Sequence, residues 1–101
     1  MKIQREGDSL IVSDIHELTA VNSSSFRDEI NSALTGSTVV IEIDLSKTQF
    51  MDSSGLGALF ALYRSTIKRE GVVLRLLNPV PEIEQLLELT QMQQLFEIVR
   101  R

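Results

Sequence analysis

The chain has 101 residues, 43% of them hydrophobic, and its 14 acidic and 10 basic side chains leave a net charge of −4. That suits one domain with one core of two packed layers, and it is too small for two domains. The absence of Cys excludes a disulfide framework and a thiolate metal site. The acid excess, with aromatics that are not interleaved with Lys or Arg, argues against a nucleic-acid partner.

Residues 2–6 alternate around Ile3, Gly7-Asp8 supplies turn chemistry and Leu10-Ile11-Val12 follows, which predicts an antiparallel hairpin at a sheet edge. Ile15 to Val21 reads as a connecting loop. Asn22-Ser23-Ser24-Ser25 is a cluster of helix-start residues, with Asn22 or Ser23 as the cap and Asp28 and Glu29 in the first turns. Helix capping and loop solvation account for these serines. Phe26, Ile30, Ala33 and Leu34 then form a buried stripe, and Gly36 is expected to end the helix.

Val39 to Leu45 is the clearest strand, with Val39, Ile41, Ile43 and Leu45 on one face. Val40 on the other face predicts a central strand covered on both sides at its start, while Glu42 and Asp44 lie further along that second face. Ser46-Lys47-Thr48-Gln49 makes a polar turn into Phe50-Met51-Asp52-Ser53-Ser54-Gly55-Leu56-Gly57.

A second helix is predicted from Leu56 to about Arg69, with residues 56, 59, 60, 63 and 67 on its buried face. Gly is a poor helix former, so Gly55 and Gly57 need a reason, either close packing or access for a partner. Gly71 stops the helix, and Val72 to Leu77 is another strand. Asn78-Pro79-Val80-Pro81 opens a last helix, with Asn78 as cap, both prolines in its first turn and Ile83, Leu86, Leu87 and Thr90 on one side. Leu95 to Val99 closes as a short strand or packed tail. The order β-β-α-β-α-β-α, with a possible final strand, predicts an α/β domain: one mixed sheet with helices packed against it.

Catalytic readings fail on the residues themselves. His16 is the one histidine, and Asp52-Ser53-Ser54-Gly55 lacks the Gly-x-Ser-x-Gly elbow of a serine hydrolase. Gly55-Leu56-Gly57 does not continue to a third glycine, because Phe60 stands there, and no Gly-Lys-Ser or Gly-Lys-Thr occurs. No group of His and carboxylates has metal-ligand spacing, so neither metal nor cofactor is expected. Met51, Met92 and Tyr63 read as packing residues. What remains is a serine pair at a strand-to-helix junction. Capping explains it on spacing alone, and a phosphate there would add about −1.5 to −2 charges to an already acidic site.

The run Phe50-Met51-Asp52-Ser53-Ser54-Gly55-Leu56-Gly57, preceded by the Val39 to Leu45 strand, resembles the STAS family, most closely bacterial anti-sigma factor antagonists. The opening hairpin, the helix after Val21, the motif helix, the Val72 strand and the Pro-led last helix follow in family order, so the resemblance covers residues 1–101 as a single domain. It implies a non-catalytic protein that binds an anti-sigma factor, itself a serine kinase carrying ATP, and thereby frees a sigma factor. It implies that Ser53 is the phosphorylated serine, that Asp52 is its acidic neighbour and that Ser54, Gly55, Leu56 and Gly57 form the helix start at the interface. A metal-dependent serine phosphatase would restore binding. The alternative is a non-switching subunit of a signalling scaffold or of a lipid or anion transporter. No basic leader and no run of about 18 apolar residues occurs, so the expectation is a soluble, cytoplasmic protein without membrane insertion.

The chain departs from the family pattern at two places. His16-Glu17-Leu18-Thr19 stands where a Gly-x-Leu-Asp turn is common, which predicts a different loop beside the motif. Thr90-Gln91-Met92 replaces Thr-Gly-Leu, which removes a helix-stopping glycine and predicts a longer last helix.

Overall fold

A computed structural model describes residues 1–101. A hairpin of β1 (Lys2–Glu6) and β2 (Ser9–Ser13) turns at Gly7, whose φ of 62° suits glycine. Parallel strands β4 (Val40–Asp44), β6 (Val73–Leu77) and β7 (Glu97–Val99) extend the sheet in the order β1-β2-β4-β6-β7. Only the β1–β2 pair is antiparallel, so the sheet is mixed and β1 is its edge, as the hairpin pattern predicts.

The segment expected to be a plain loop contains β3 (Glu17–Leu18), which pairs in parallel with β5 (Phe50–Met51) as a separate two-stranded ribbon. Two residues are too few to show a period of two, so the alternation that marks a strand could not reveal either.

Helices α1 (Ser23–Ala33), α2 (Ser53–Ile67) and α3 (Pro81–Leu89) each lie in a crossover between neighbouring parallel strands. The strand order advances in one direction, so right-handed crossovers put all three helices on one face of the sheet. That face carries the core, in which Leu10, Val12, Ile41, Ile43, Leu74 and Leu76 meet Phe26, Ile30, Leu59, Leu62, Ile83 and Leu87. β4 is central, as expected, but it is covered by helices on one face only, and Val39 lies outside the strand and exposed. On the opposite face Glu42, 8% exposed, is paired with Arg101 at 2.8 Å and with Arg75 of β6 at 3.6 Å.

Several predicted boundaries move. α1 ends at Ala33 because Leu34 turns extended, two residues before Gly36, and Asp28 and Glu29 lie past its first turn. Asn22 precedes α1 without a side-chain cap, because its amide side chain bonds Thr19 and Glu17 instead. α3 starts at Pro81, leaving Pro79 outside. Asn78 adopts φ 50° and accepts a hydrogen bond from the Arg101 amide rather than capping. The last helix is not prolonged. Gln91 takes the left-handed conformation itself, at φ 62°, and one 3₁₀ turn (Met92–Gln94) leads into β7. The backbone supplies the stop that a glycine would make easy, at a cost on the order of 1 kcal/mol.

Candidate functional site

Two loops converge before the motif. Lys47 Nζ meets Asp14 Oδ1 at 2.9 Å, the buried Thr48 hydroxyl donates to the Ile15 carbonyl at 2.6 Å, and the Gln49 amide donates to the His16 carbonyl at 3.0 Å. Hydrogen bonding and the charge of Lys47 hold the Asp14 carboxyl below the usual carboxylate range, and Asp14 raises Lys47 in turn. The pairing continues through Glu17 opposite Phe50 and Leu18 opposite Met51, and ends where the Asp52 amide donates to the Leu18 carbonyl at 3.3 Å.

At that point α2 begins, three residues earlier than the apolar periodicity indicates. Its N-cap is Asp52, not a serine: Oδ1 accepts from the Gly55 amide at 3.0 Å, the geometry that satisfies one of the unpaired donors of a first turn. Oδ2 accepts from the Ala20 amide at 3.1 Å across the junction. Hydrogen bonds from Gly55 first and Ala20 second hold the Asp52 carboxyl below its ordinary range. Ser53 is the first helical residue and exposed, with a hydroxyl not engaged by the chain, and Ser54 follows half-buried. The capping that would explain the serines is performed by their neighbour.

Of the two reasons offered for the glycines, close packing holds at Gly55 and not at Gly57. A Cβ on Gly55 would collide with the Leu18 carbonyl oxygen and lie 2.8 Å from its carbonyl carbon, so Gly55 is buried and lets α2 sit on β3. A Cβ on Gly57 would meet nothing within 4 Å, and Gly57 is exposed. The buried side of α2 is Gly55, Ala58, Leu59, Leu62 and Thr66, rather than the predicted stripe at 56, 59, 60, 63 and 67. Phe60 and Ile67 are exposed, and Leu56 and Tyr63 half-buried. The helix is rotated because the inward positions near the sheet are small, so a count of large apolar residues misses them.

Phe50, named in the motif run without a role of its own, is 64% exposed, and Val21, placed in the connecting loop, is 87% exposed. Val21 follows Ala20, which bonds Asp52, and Phe50 stands two residues before Asp52 in the chain. Phe50 was legible as an apolar residue beside a turn, but nothing local revealed Val21. A cleft of about 270 Å³ is lined by Asp14, His16, Glu17, Asn22 and Glu29 among others and by none of residues 52–57. Its carboxylates disfavour a phosphate-bearing ligand. Asp44 binds the Ser46 amide at 2.9 Å, a turn contact, and no group of three His or acidic residues is placed to hold a metal.

A family model described as the STAS domain matches residues 1–101. Solved structures share the fold. A candidate anti-sigma factor antagonist from Thermotoga maritima aligns at 22% identity and TM-score 0.82, over 99% of this chain and 85% of that one. The anti-sigma factor antagonist SpoIIAA, unphosphorylated, aligns at 21% and 0.75, over 97% and 86%. The phosphorylated form of SpoIIAA, a Bacillus cell fate determinant, aligns at 20% and 0.77, over 99% and 89%. The murine anion transporter Slc26a9 aligns at 23% and 0.77, over 94% of this chain and 16% of the transporter.

Proposed function

Since the chain belongs to the STAS family, we propose that it is an anti-sigma factor antagonist whose binding is switched at Ser53. Unmodified, it sequesters an anti-sigma factor serine kinase and so releases a sigma factor. Phosphorylated, it lets the kinase go. The observation that carries the reading is that Ser53 is exposed at the first position of α2 while Asp52 performs the capping, which leaves the Ser53 hydroxyl no structural task.

The partner surface comprises Ser53, Ser54, Leu56 and Gly57, with Phe50 and Val21 as apolar contacts beside them. Gly57 lets a partner backbone approach. Asp52 and Gly55 hold the surface in place from behind. The kinase transfers the γ-phosphoryl group of its own ATP to the Ser53 oxygen, with ADP as leaving group and the hydroxyl proton passing to a base on the kinase. A metal-dependent serine phosphatase hydrolyses the ester, which returns the hydroxyl and inorganic phosphate. The phosphate brings about −1.5 to −2 charges beside the Asp52 carboxylate, where an apolar interface must desolvate them. The chain itself is the substrate of both enzymes and catalyses neither step. It works in the cytoplasm of a bacterium, with no nucleic-acid partner and no segment inserted in a membrane; no helix is long and apolar enough to cross one.

A second reading is a non-switching subunit of a transporter or scaffold, favoured by the likeness to part of an anion transporter. The two separate on Ser53 variants assayed against the co-purifying partner. Ser53→Ala binds the kinase constitutively and Ser53→Asp weakens binding. Equal binding by both variants and the parent would remove Ser53 as the control point.

A further inference from the structure

We propose that Asp52 is the positioning residue of the switch: it latches the turn at residues 19–22 to the start of α2, and a phosphate on Ser53 opens that latch. The inference rests on the reading of Ser53 as the modified residue.

The turn is an internally bonded unit. Thr19 N–H donates to Asn22 Oδ1 at 2.9 Å, Asn22 N–H donates to the Thr19 carbonyl at 3.2 Å, and Asn22 Nδ2 donates to the Glu17 carbonyl at 2.8 Å. Its hydrogen bond to the α2 start is a single one, from the Ala20 amide to Asp52 Oδ2 at 3.1 Å. Val21, the most exposed large apolar side chain of the molecule, rides on this turn. The other carboxylate oxygen is held by Gly55, so one side chain spans the helix start and the turn.

A phosphate on Ser53 enters the same small space. The first-turn amides are the nearest donors, and a group with nearly two charges and three acceptor oxygens outcompetes a carboxylate for them. Repulsion between the adjacent anions acts in the same direction. With Asp52 displaced, Ala20 loses its acceptor and the turn that carries Val21 is no longer tied to the start of α2. Phosphorylation thus withdraws an apolar contact as well as adding charge.

The test uses full-length protein with phosphoserine inserted at position 53 during translation, compared with the unmodified protein by NMR-detected amide exchange. The Ala20 amide exchanges at least tenfold faster in the phosphorylated form. Asp52→Ser keeps one capping oxygen but has none left for Ala20. In that variant Ala20 exchanges fast in both forms and phosphate adds no further change, a dependence that a merely structural role would not show. An Ala20 rate unaffected by phosphate in the parent protein, or still raised tenfold by phosphate in Asp52→Ser, overturns the latch. Kinase binding to the two forms, measured on the same samples, judges the Ser53 reading separately: equal binding defeats that reading whatever Ala20 does.

Discussion

The two sides of α2 are built from different constraints. On the inner side Gly55, Ala58, Leu59, Leu62 and Thr66 are buried, and at Gly55 the Leu18 backbone leaves no room for a side chain. On the outer side, Ser53 and Gly57 face solvent, and the exposed Phe60 and Ile67 lie along the same helix. Nothing in the fold requires a serine at 53 or a glycine at 57. On the proposed reading, their reason is the partner that meets the start of α2.

The contrast is sharpest at the glycines. Gly55→Ala drives a Cβ into the Leu18 backbone, which cannot move without breaking the β3–β5 ribbon. We expect a loss of about 4 kcal/mol, beyond the usual range for overpacking, read from a denaturant melt. A loss under about 1 kcal/mol would mean that the helix and β3 are not in contact. Further along, Leu62→Ala empties a site only 1% exposed and should cost about 3 kcal/mol, whereas Ile67→Ser, at 61% exposure, should stay within about 0.5 kcal/mol. The reverse order would restore the helix phase suggested by the apolar spacing.

Gly57→Ala should change sign. With open space around the new methyl group and a helical backbone, it should stabilise the domain by about 0.5–1 kcal/mol while weakening kinase binding. Unchanged binding would take Gly57 out of the interface.

The smallest effect is expected at Asp52. Its folded pKa lies below the unfolded carboxylate value, so its contribution is complete above that value, near pH 4, and is lost as pH falls through the folded pKa. Acid melts of the parent should show this loss, and those of Asp52→Asn should be flatter in the same window. Identical slopes would mean that the carboxylate charge adds nothing to the cap.

The sequence made most of the sheet legible because four of its five strands are five residues long and their alternation or apolar content is visible, whereas β7, with three residues, reads only as a short strand or packed tail. It made the junction legible because Asp52 to Gly57 carries hydroxyls and glycines where an ordinary helix would not. It hid β3 and β5, which exist only because each pairs with the other. It hid the division of labour within the motif, since Asp52 and Ser53 are both good capping residues and only geometry separates the cap from the free hydroxyl. Gln91 shows the same limit, as a missing glycine looked like a missing helix stop until the backbone adopted that conformation without it.

Phosphopeptide mapping and intact mass of the protein isolated from its own cells, in growth and under stress, test most directly whether Ser53 is a switch. The expected result is one phosphate, on Ser53, with an occupancy that changes between conditions. An unmodified Ser53 in every condition would contradict it and favour the constitutive subunit.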